Sequence, residues 1–141
     1  VLKKGTYTKT KPNYINKKDI KIGKKIINNL KLKNVSQGIV VVRGNIVISE
    51  NLKGTDFMLN KAKKKLKKYI FKNKREGILL KLPKPNQDLR TDLPTVGIKT
   101  VKKCASLGIR GIVVKAKHNI FLDRKKSLKI ANKNNMFVSA I

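Results

Sequence analysis

The sequence predicts an α/β fold: a mixed β-sheet with flanking helices, in a single domain. Three observations predict it. Apolar runs of strand length, GIVVV, NIVIS, GILLKL and GIVV, recur along the chain. Between them lie segments whose apolar residues return at helical spacing, such as Leu59, Ala62, Leu66 and Ile70. Two of the runs flank Arg43-Gly44-Asn45 and read as a hairpin, so the sheet cannot be wholly parallel.

Taken in order, residues 1–18 carry Gly5 and Pro12 among polar residues and read as a linker or irregular lead-in. Asp19 then stands as an N-cap before Ile22, Ile26, Ile27 and Leu30. QGIVVVRGNIVIS follows, with Gly44 and Asn45 expected to supply positive φ in the turn. ENLKGTD is a short loop, and FMLNKAKKKLKKYIF is a helix with lysines around its outer side. GILLKL reads as a buried strand. A helix from about Ile98 to Leu107 turns Val101 and Ala105 inward and stops at Gly108 as C′ residue. RGIVVKA and NIFLD are two further strands joined by a hairpin-like AKHN. Asp123 caps a helix carrying Leu128 and Ala131, and MFVSA is a last short strand. No internal repeat is visible.

Composition narrows the partners. The chain has 141 residues, enough for one domain with a real core. Lys and Arg number 36 against 7 Asp and Glu, a formal net charge of +29. That balance points to an anionic partner: nucleic acid, a phosphorylated substrate or an acidic membrane surface. Lys, Asn and Ile are also over-used at positions with no evident role, so a general composition bias is an alternative source of the charge. A single cysteine excludes an internal disulfide, and no Cys/His cluster offers a metal site. The apolar runs are too short to span a membrane, and no secretory leader is read at the start. The chain opens at Val1 in a loop-like stretch, which suggests a part upstream.

With seven acids, each can be followed. Asp19 and Asp123 read as N-caps, and Glu76 lies in a polar turn that needs no role. Glu50, Asp56, Asp88 and Asp92 fall in two loops, each immediately after a strand. Open α/β sheets gather ligands in the crevice beyond the carboxyl ends of their strands. Magnesium usually takes one or two carboxylates, with phosphate and water completing its shell. Asp88 and Asp92 would lie about 6 Å apart on a helical turn and about 13 Å apart if extended, so spacing alone does not decide whether they share an ion. Arg90 between them could fork onto a phosphate, with Lys81 and Lys84 adding charge. Equally, either aspartate could cap a helix or tie the loop to Arg90. Gly54 would let backbone approach a ligand and Thr55 could donate to it, or GTD could simply start a helix.

Those residues carry a resemblance. KGTDFMLNKA, GILLKLPKPNQDLRTDLPTVGIKTV and LGIRGIVVKAKHNIFLDRKKSLKIANKNNMFV resemble, in order and spacing, the C-terminal half of the LpxI-type UDP-2,3-diacylglucosamine pyrophosphatases. GTYTKTKPN is similar to the junction that follows the family's N-terminal domain, and SQGIVVVRGNIVISE to its strand pair. The resemblance implies residues 1–18 as a junction from a missing N-terminal domain and residues 19–141 as the C-terminal catalytic domain. It implies an α/β fold and hydrolysis of UDP-2,3-diacylglucosamine to 2,3-diacylglucosamine 1-phosphate (lipid X) and UMP in lipid A biosynthesis. Magnesium or a similar divalent cation would assist, in the cytoplasm at the anionic inner-membrane surface.

Within this reading Asp92 and Asp88 rank first as metal ligands or general base, and Asp56 and Glu50 second. Arg90, Lys81 and Lys84 would hold phosphate oxygens, while Gly54, Thr55 and Gln87 would contact substrate. The chain departs from the family where Lys53 replaces the glutamate of EGTD and where Lys115 and Lys117 replace the glutamate and glycine of VEAG.

His118 reads as an exposed turn residue and Cys104 as a small core residue. The lysine-rich helix KAKKKLKKYIF could rest on anionic lipid or simply face solvent. No aromatic ladder accompanies the lysines, so no specific nucleic acid is expected. The competing functions are a highly basic nucleic-acid-binding module and a non-catalytic lipid-binding remnant.

Overall fold

The computed structural model describes residues 1–29, 38–51, 53–71, 74–83 and 93–141. Among these residues six strands form the main sheet: β1 (Gly5–Thr6), β2 (Gly38–Val42), β3 (Asn45–Ser49), β4 (Glu76–Lys81), β6 (Ile109–Val114) and β8 (Phe137–Ala140), in the order β1-β8-β6-β4-β2-β3. β4, β6 and β8 run parallel, while β2 is antiparallel to both β4 and β3, and β1 is antiparallel to β8. The mixed α/β sheet expected from the sequence is therefore present. Two further strands, β5 (Thr95–Val96) and β7 (Ile120–Phe121), make a small parallel sheet of their own. The helices are α1 (Tyr14–Asn29), α2 (Thr55–Leu66), α3 (Ile98–Leu107) and α4 (Arg124–Lys133).

Side chains alternate across a strand, and the alternation assigns the helices to faces. Ile39, Val41, Ile78, Leu80, Val113 and Phe137 join Ile20 and Ile27 of α1 in one core. Val40, Val42, Leu79, Ile112, Val114 and Val138 join Leu59 and Leu66 of α2, Val101 and Cys104 of α3 and Ala131 of α4 in the other. Among the described residues, one helix covers one face and three cover the second. GIVVV is a continuous apolar run because β2 is buried on both faces throughout.

Several local expectations are corrected. The first helix begins at Tyr14, not after Asp19. Asn13 and Asn16 start it reciprocally: Asn16 N–H donates to Asn13 Oδ1 at 2.8 Å, and Asn13 N–H donates to Asn16 Oδ1 at 3.0 Å. Asp19, 1% exposed, sits inside the helix and accepts the N–H groups of Arg43 (3.1 Å) and Gly44 (2.7 Å). It fixes the hairpin turn. That turn has positive φ at Arg43 and Gly44 rather than at Gly44 and Asn45, because Val42 pairs with Asn45 and leaves Arg43-Gly44 as the two-residue loop. Asp123 stands before α4 in a left-handed conformation and makes no side-chain capping bond. Glu76 opens β4 rather than lying in a turn, and it pairs with Arg43 and with Lys74 at 3.6 Å. β6 and β7 do not form a hairpin; β7 leaves the main sheet and pairs with β5. Residues 1–18 are not irregular throughout, since β1 pairs with β8 and Leu2 is fully buried. Gly108 does end α3 in the left-handed conformation, with φ 81°. Leu30 lies outside the described residues.

Gly111 shows how tightly the parallel strands are packed. It faces Phe137 across the β6–β8 ladder, and a Cβ at this position would fall 2.2 Å from the fully buried Phe137 ring. Gly111→Ala should therefore destabilise the domain by about 3 kcal/mol through overpacking. Adding Phe137→Leu to that variant should recover part of the loss in urea unfolding. Equal stability of Gly111→Ala and the parent would contradict this packing.

Candidate functional site

The strands bring the chemistry-bearing residues to one edge of the sheet. β4 ends at Lys81, β2 begins opposite it at Gly38, and Glu50 follows β3. The antiparallel pairing of β2 with both neighbours is what sets Glu50 beside the end of β4: Ser49 faces Ile39 on one side, and Lys81 faces Gly38 on the other. Glu50 N–H donates to the Gly38 carbonyl at 2.8 Å. Its carboxylate folds over Gly38, where a Cβ would lie 3.2 Å from Oε1. Glu50 is 5% exposed, and Thr55 Oγ1, at the start of α2, donates to its Oε1. The Glu50–Thr55 bond ties the end of β3 to the helix across the ENLKG loop.

Lys81 is also 5% exposed, and its Nζ donates to the Thr95 carbonyl at 2.9 Å. Burial pushes its pKa below the ordinary lysine value, opposed by the nearby negative charges of Glu50 and Asp56. Cys104, fully buried behind it in α3, has its thiol pushed up to about 12 by burial and stays a neutral core residue.

Asp56 lies in the first turn of α2, where a carboxylate complements the helix dipole. It is partly exposed and paired with Lys99 (3.2 Å) and Lys103 (3.9 Å) of α3. Those two lysines were not singled out in the sequence, although their spacing of four residues puts them on one helix face. Gly54 precedes α2 with φ 92° and ψ 179°, a region open essentially to glycine alone, and among the described residues nothing lies within 4 Å of where its Cβ would be. Its backbone is open to an approaching group.

The structure thus brings together Glu50, Thr55 and Lys81, with Gly54 and Asp56 alongside. Asp88, Asp92, Lys84, Gln87 and Arg90 lie outside the described residues. The flanks of that stretch do not: Leu82 and Pro83 follow Lys81 directly, and Thr95 returns to it. His118 is half-buried and, with Lys24, Asn28, Leu82, Pro83 and Lys115, lines a cleft of about 230 Å³ beside α1. Asn119 anchors the start of the chain at this same edge, accepting Leu2 N–H at 3.0 Å and donating to the Leu2 carbonyl at 3.1 Å. Among the described residues no three of His, Cys, Asp and Glu gather closely enough to hold a metal ion. The carboxylates present are hard oxygen donors of the kind a magnesium-type ion takes, and they supply at most part of a shell.

Fold and site together define an α/β domain with a buried lysine at the carboxyl end of central strand β4 and a buried carboxylate just past edge strand β3. Residues 3–139 match the LpxI C-terminal domain, and the chain belongs to that family. UDP-2,3-diacylglucosamine pyrophosphatase LpxI of Caulobacter vibrioides is similar to it, at 34% identity over 109 residues. That similarity covers 77% of this chain and 39% of the relative, so the chain spans well under half of the protein it matches.

The buried lysine yields a pH prediction. A folded pKa below the unfolded one means that the unfolded chain holds the proton more tightly. Stability then rises with pH up to the ordinary lysine value of 10.5 and is lost as pH falls through the folded value. Lys81→Met lacks this dependence. The stability of the parent relative to Lys81→Met, from urea unfolding, should increase over the alkaline window in which pH rises toward the ordinary value of 10.5. A difference that stays flat over this window would contradict the burial of a charged ammonium.

Proposed function

We propose that this chain is the C-terminal part of a hydrolase that splits UDP-2,3-diacylglucosamine into lipid X and UMP in lipid A biosynthesis. The observation that carries the reading is family membership over residues 3–139, a span that includes KPNQDLRTDLPTVG; Thr95 of that stretch accepts from Lys81, near Glu50 and Thr55. The similar protein of Caulobacter vibrioides bears the name of that activity.

The chemistry requires neutralised phosphate oxygens, a positioned water and a group to take its proton. In the proposed reaction, water attacks the phosphorus on the sugar side and its proton passes to Asp92 or Asp88. The bond from that phosphorus to the bridging oxygen breaks, and the oxygen leaves with UMP. Arg90 and Lys84 hold phosphate oxygens, and Gln87 and Thr55 hydrogen-bond the substrate. Lys81, already bonded to Thr95, adds positive charge from beneath the site. Magnesium or a similar ion, held by Asp88 and Asp92 with Asp56 or Glu50, would stabilise charge on the phosphate oxygens. Contacts to the nucleotide come in part from the remainder of a longer protein, because this chain spans so little of the relative.

We place the reaction at the cytoplasmic surface of the inner membrane. The lysine-rich helix, which ends at Leu66 rather than running on to Phe71, would contact anionic lipid through its lysines, since Met58, Leu59, Ala62 and Leu66 are packed into the core.

Asp92→Ala and Asp88→Ala, made in the complete protein, should each lower UMP release by on the order of 10²–10⁴-fold while substrate still binds. Near-normal turnover in both variants would place the catalytic carboxylate elsewhere.

A further inference from the structure

At the opposite edge of the sheet, where β4 and β6 begin, lies a cleft of about 770 Å³. That volume is within the range of small-molecule sites. Its walls are of two kinds. Ile70, Phe71 and Leu107 form an apolar side, and Lys74, Arg75 and Arg110 a cationic side; none of its described lining residues is Asp or Glu.

Three features separate this cleft from the general lysine excess. The chain contains only five arginines among its 36 basic residues, and two of them meet here. Both guanidinium groups are already fixed. Arg75 Nη1 donates to the carbonyls of Ala105 (2.9 Å) and Ile109 (3.3 Å), and its Nη2 reaches Asn134 Oδ1 at 3.5 Å. Arg110 Nε donates to Asn16 Oδ1 (2.9 Å) and Nη2 to the Lys11 carbonyl (3.1 Å). These bonds leave Arg75 Nε and Arg110 Nη1 without a hydrogen bond among the described residues. A fork held in place loses little freedom on binding an anion. The third feature is Phe71, a ring left 67% exposed, with the Arg43 guanidinium 5.9 Å from its centroid. Glu76 lies nearby and engages Lys74 and Arg43, not the two cleft arginines.

We propose that this cleft is a binding site for an organic phosphate. Its phosphate accepts from Arg110, Arg75 and Lys74, and its aromatic or apolar body lies on Phe71, Ile70 and Leu107. The cleft lies at the edge of the sheet opposite Lys81, Glu50 and Thr55 and does not rest on the proposed hydrolytic activity. Partial burial of Arg75, which lowers its pKa, leaves a charge that an incoming anion would compensate.

Amide shifts of the labelled chain test this in moderate salt, with inorganic phosphate, adenosine monophosphate and a short-chain phosphatidic acid below its micelle concentration as probes. Saturable shifts are expected at Ser106, Gly108, Arg110 and Asn135. One organic phosphate should bind roughly tenfold tighter than inorganic phosphate through its body on Phe71, and which one does so identifies the source. Lys74→Glu should weaken all binding by about tenfold or more. Phe71→Ser should remove only the organic preference. Both side chains are exposed, so neither change threatens the fold. Non-saturating shifts, shifts spread over the α2 lysines or confined to the far edge, equal affinity for all three probes, or indifference to both variants would each overturn the proposal.

Discussion

Lys81 holds an ammonium group almost completely out of water at the end of the central strand, and the architecture around it follows from meeting that cost. Desolvating an ion costs several kcal/mol even after relaxation. Here one N–H donates a hydrogen bond to the Thr95 carbonyl, and the charges of Glu50 and Asp56 lie close enough to oppose the fall in pKa. The bond to Thr95 draws β5 against the end of β4. β7 then docks on β5 in parallel register, and the Ile120 and Leu122 N–H groups extend that ladder to the Pro94 and Val96 carbonyls. Glu50 in turn is held by Gly38 and Thr55, which fixes the start of α2. The small sheet, the start of α2 and the candidate site are thus linked through a single buried charge and its neighbours.

The acidic residues explain much of how so basic a chain stays folded. A formal charge of +29 repels itself in the compact state. Four of the carboxylates join one element to another, three of them across long stretches of sequence. Asp19 binds the β2–β3 turn to α1, Glu76 draws Arg43 of that turn to β4, Glu50 joins β3 to α2, and Asp56 ties α2 to α3. Exposed pairs such as Asp56–Lys99 contribute about 0–1 kcal/mol each. Asp19 and Glu50, both buried, leave unmet partners if removed, a larger cost.

What the sequence made legible was what local pattern controls. Continuous β-branched runs marked the buried strands, Gly108 marked the end of α3, and Arg43-Gly44-Asn45 marked the hairpin. Asp19 and Asp123 misled because a carboxylate near a helix start is the usual cap, whereas tertiary partners decided Asp19 and backbone geometry decided Asp123. The reciprocal Asn13–Asn16 cap was written in the sequence but hidden in a stretch read as irregular. At the site, Glu50 and Asp56 could be chosen because they follow a strand. The partner of Lys81 could not, since it is a backbone carbonyl fourteen positions away whose side-chain identity carries no signal. Family membership was legible from the motif, because KPNQDLRTDLPTVG is specific in a way that a pair of aspartates is not.

The central proposal is that a divalent cation and phosphate would meet this protein at the edge holding Lys81, Glu50 and Thr55. Paramagnetic broadening by Mn²⁺, added to the labelled chain and reversed by excess Mg²⁺, tests it most directly. The account predicts selective loss of the amide signals of Gly38, Glu50, Thr55 and Thr95, with those of Glu76 and Gly108 at the opposite edge retained. Broadening centred on Glu76, or none at millimolar ion, would contradict it.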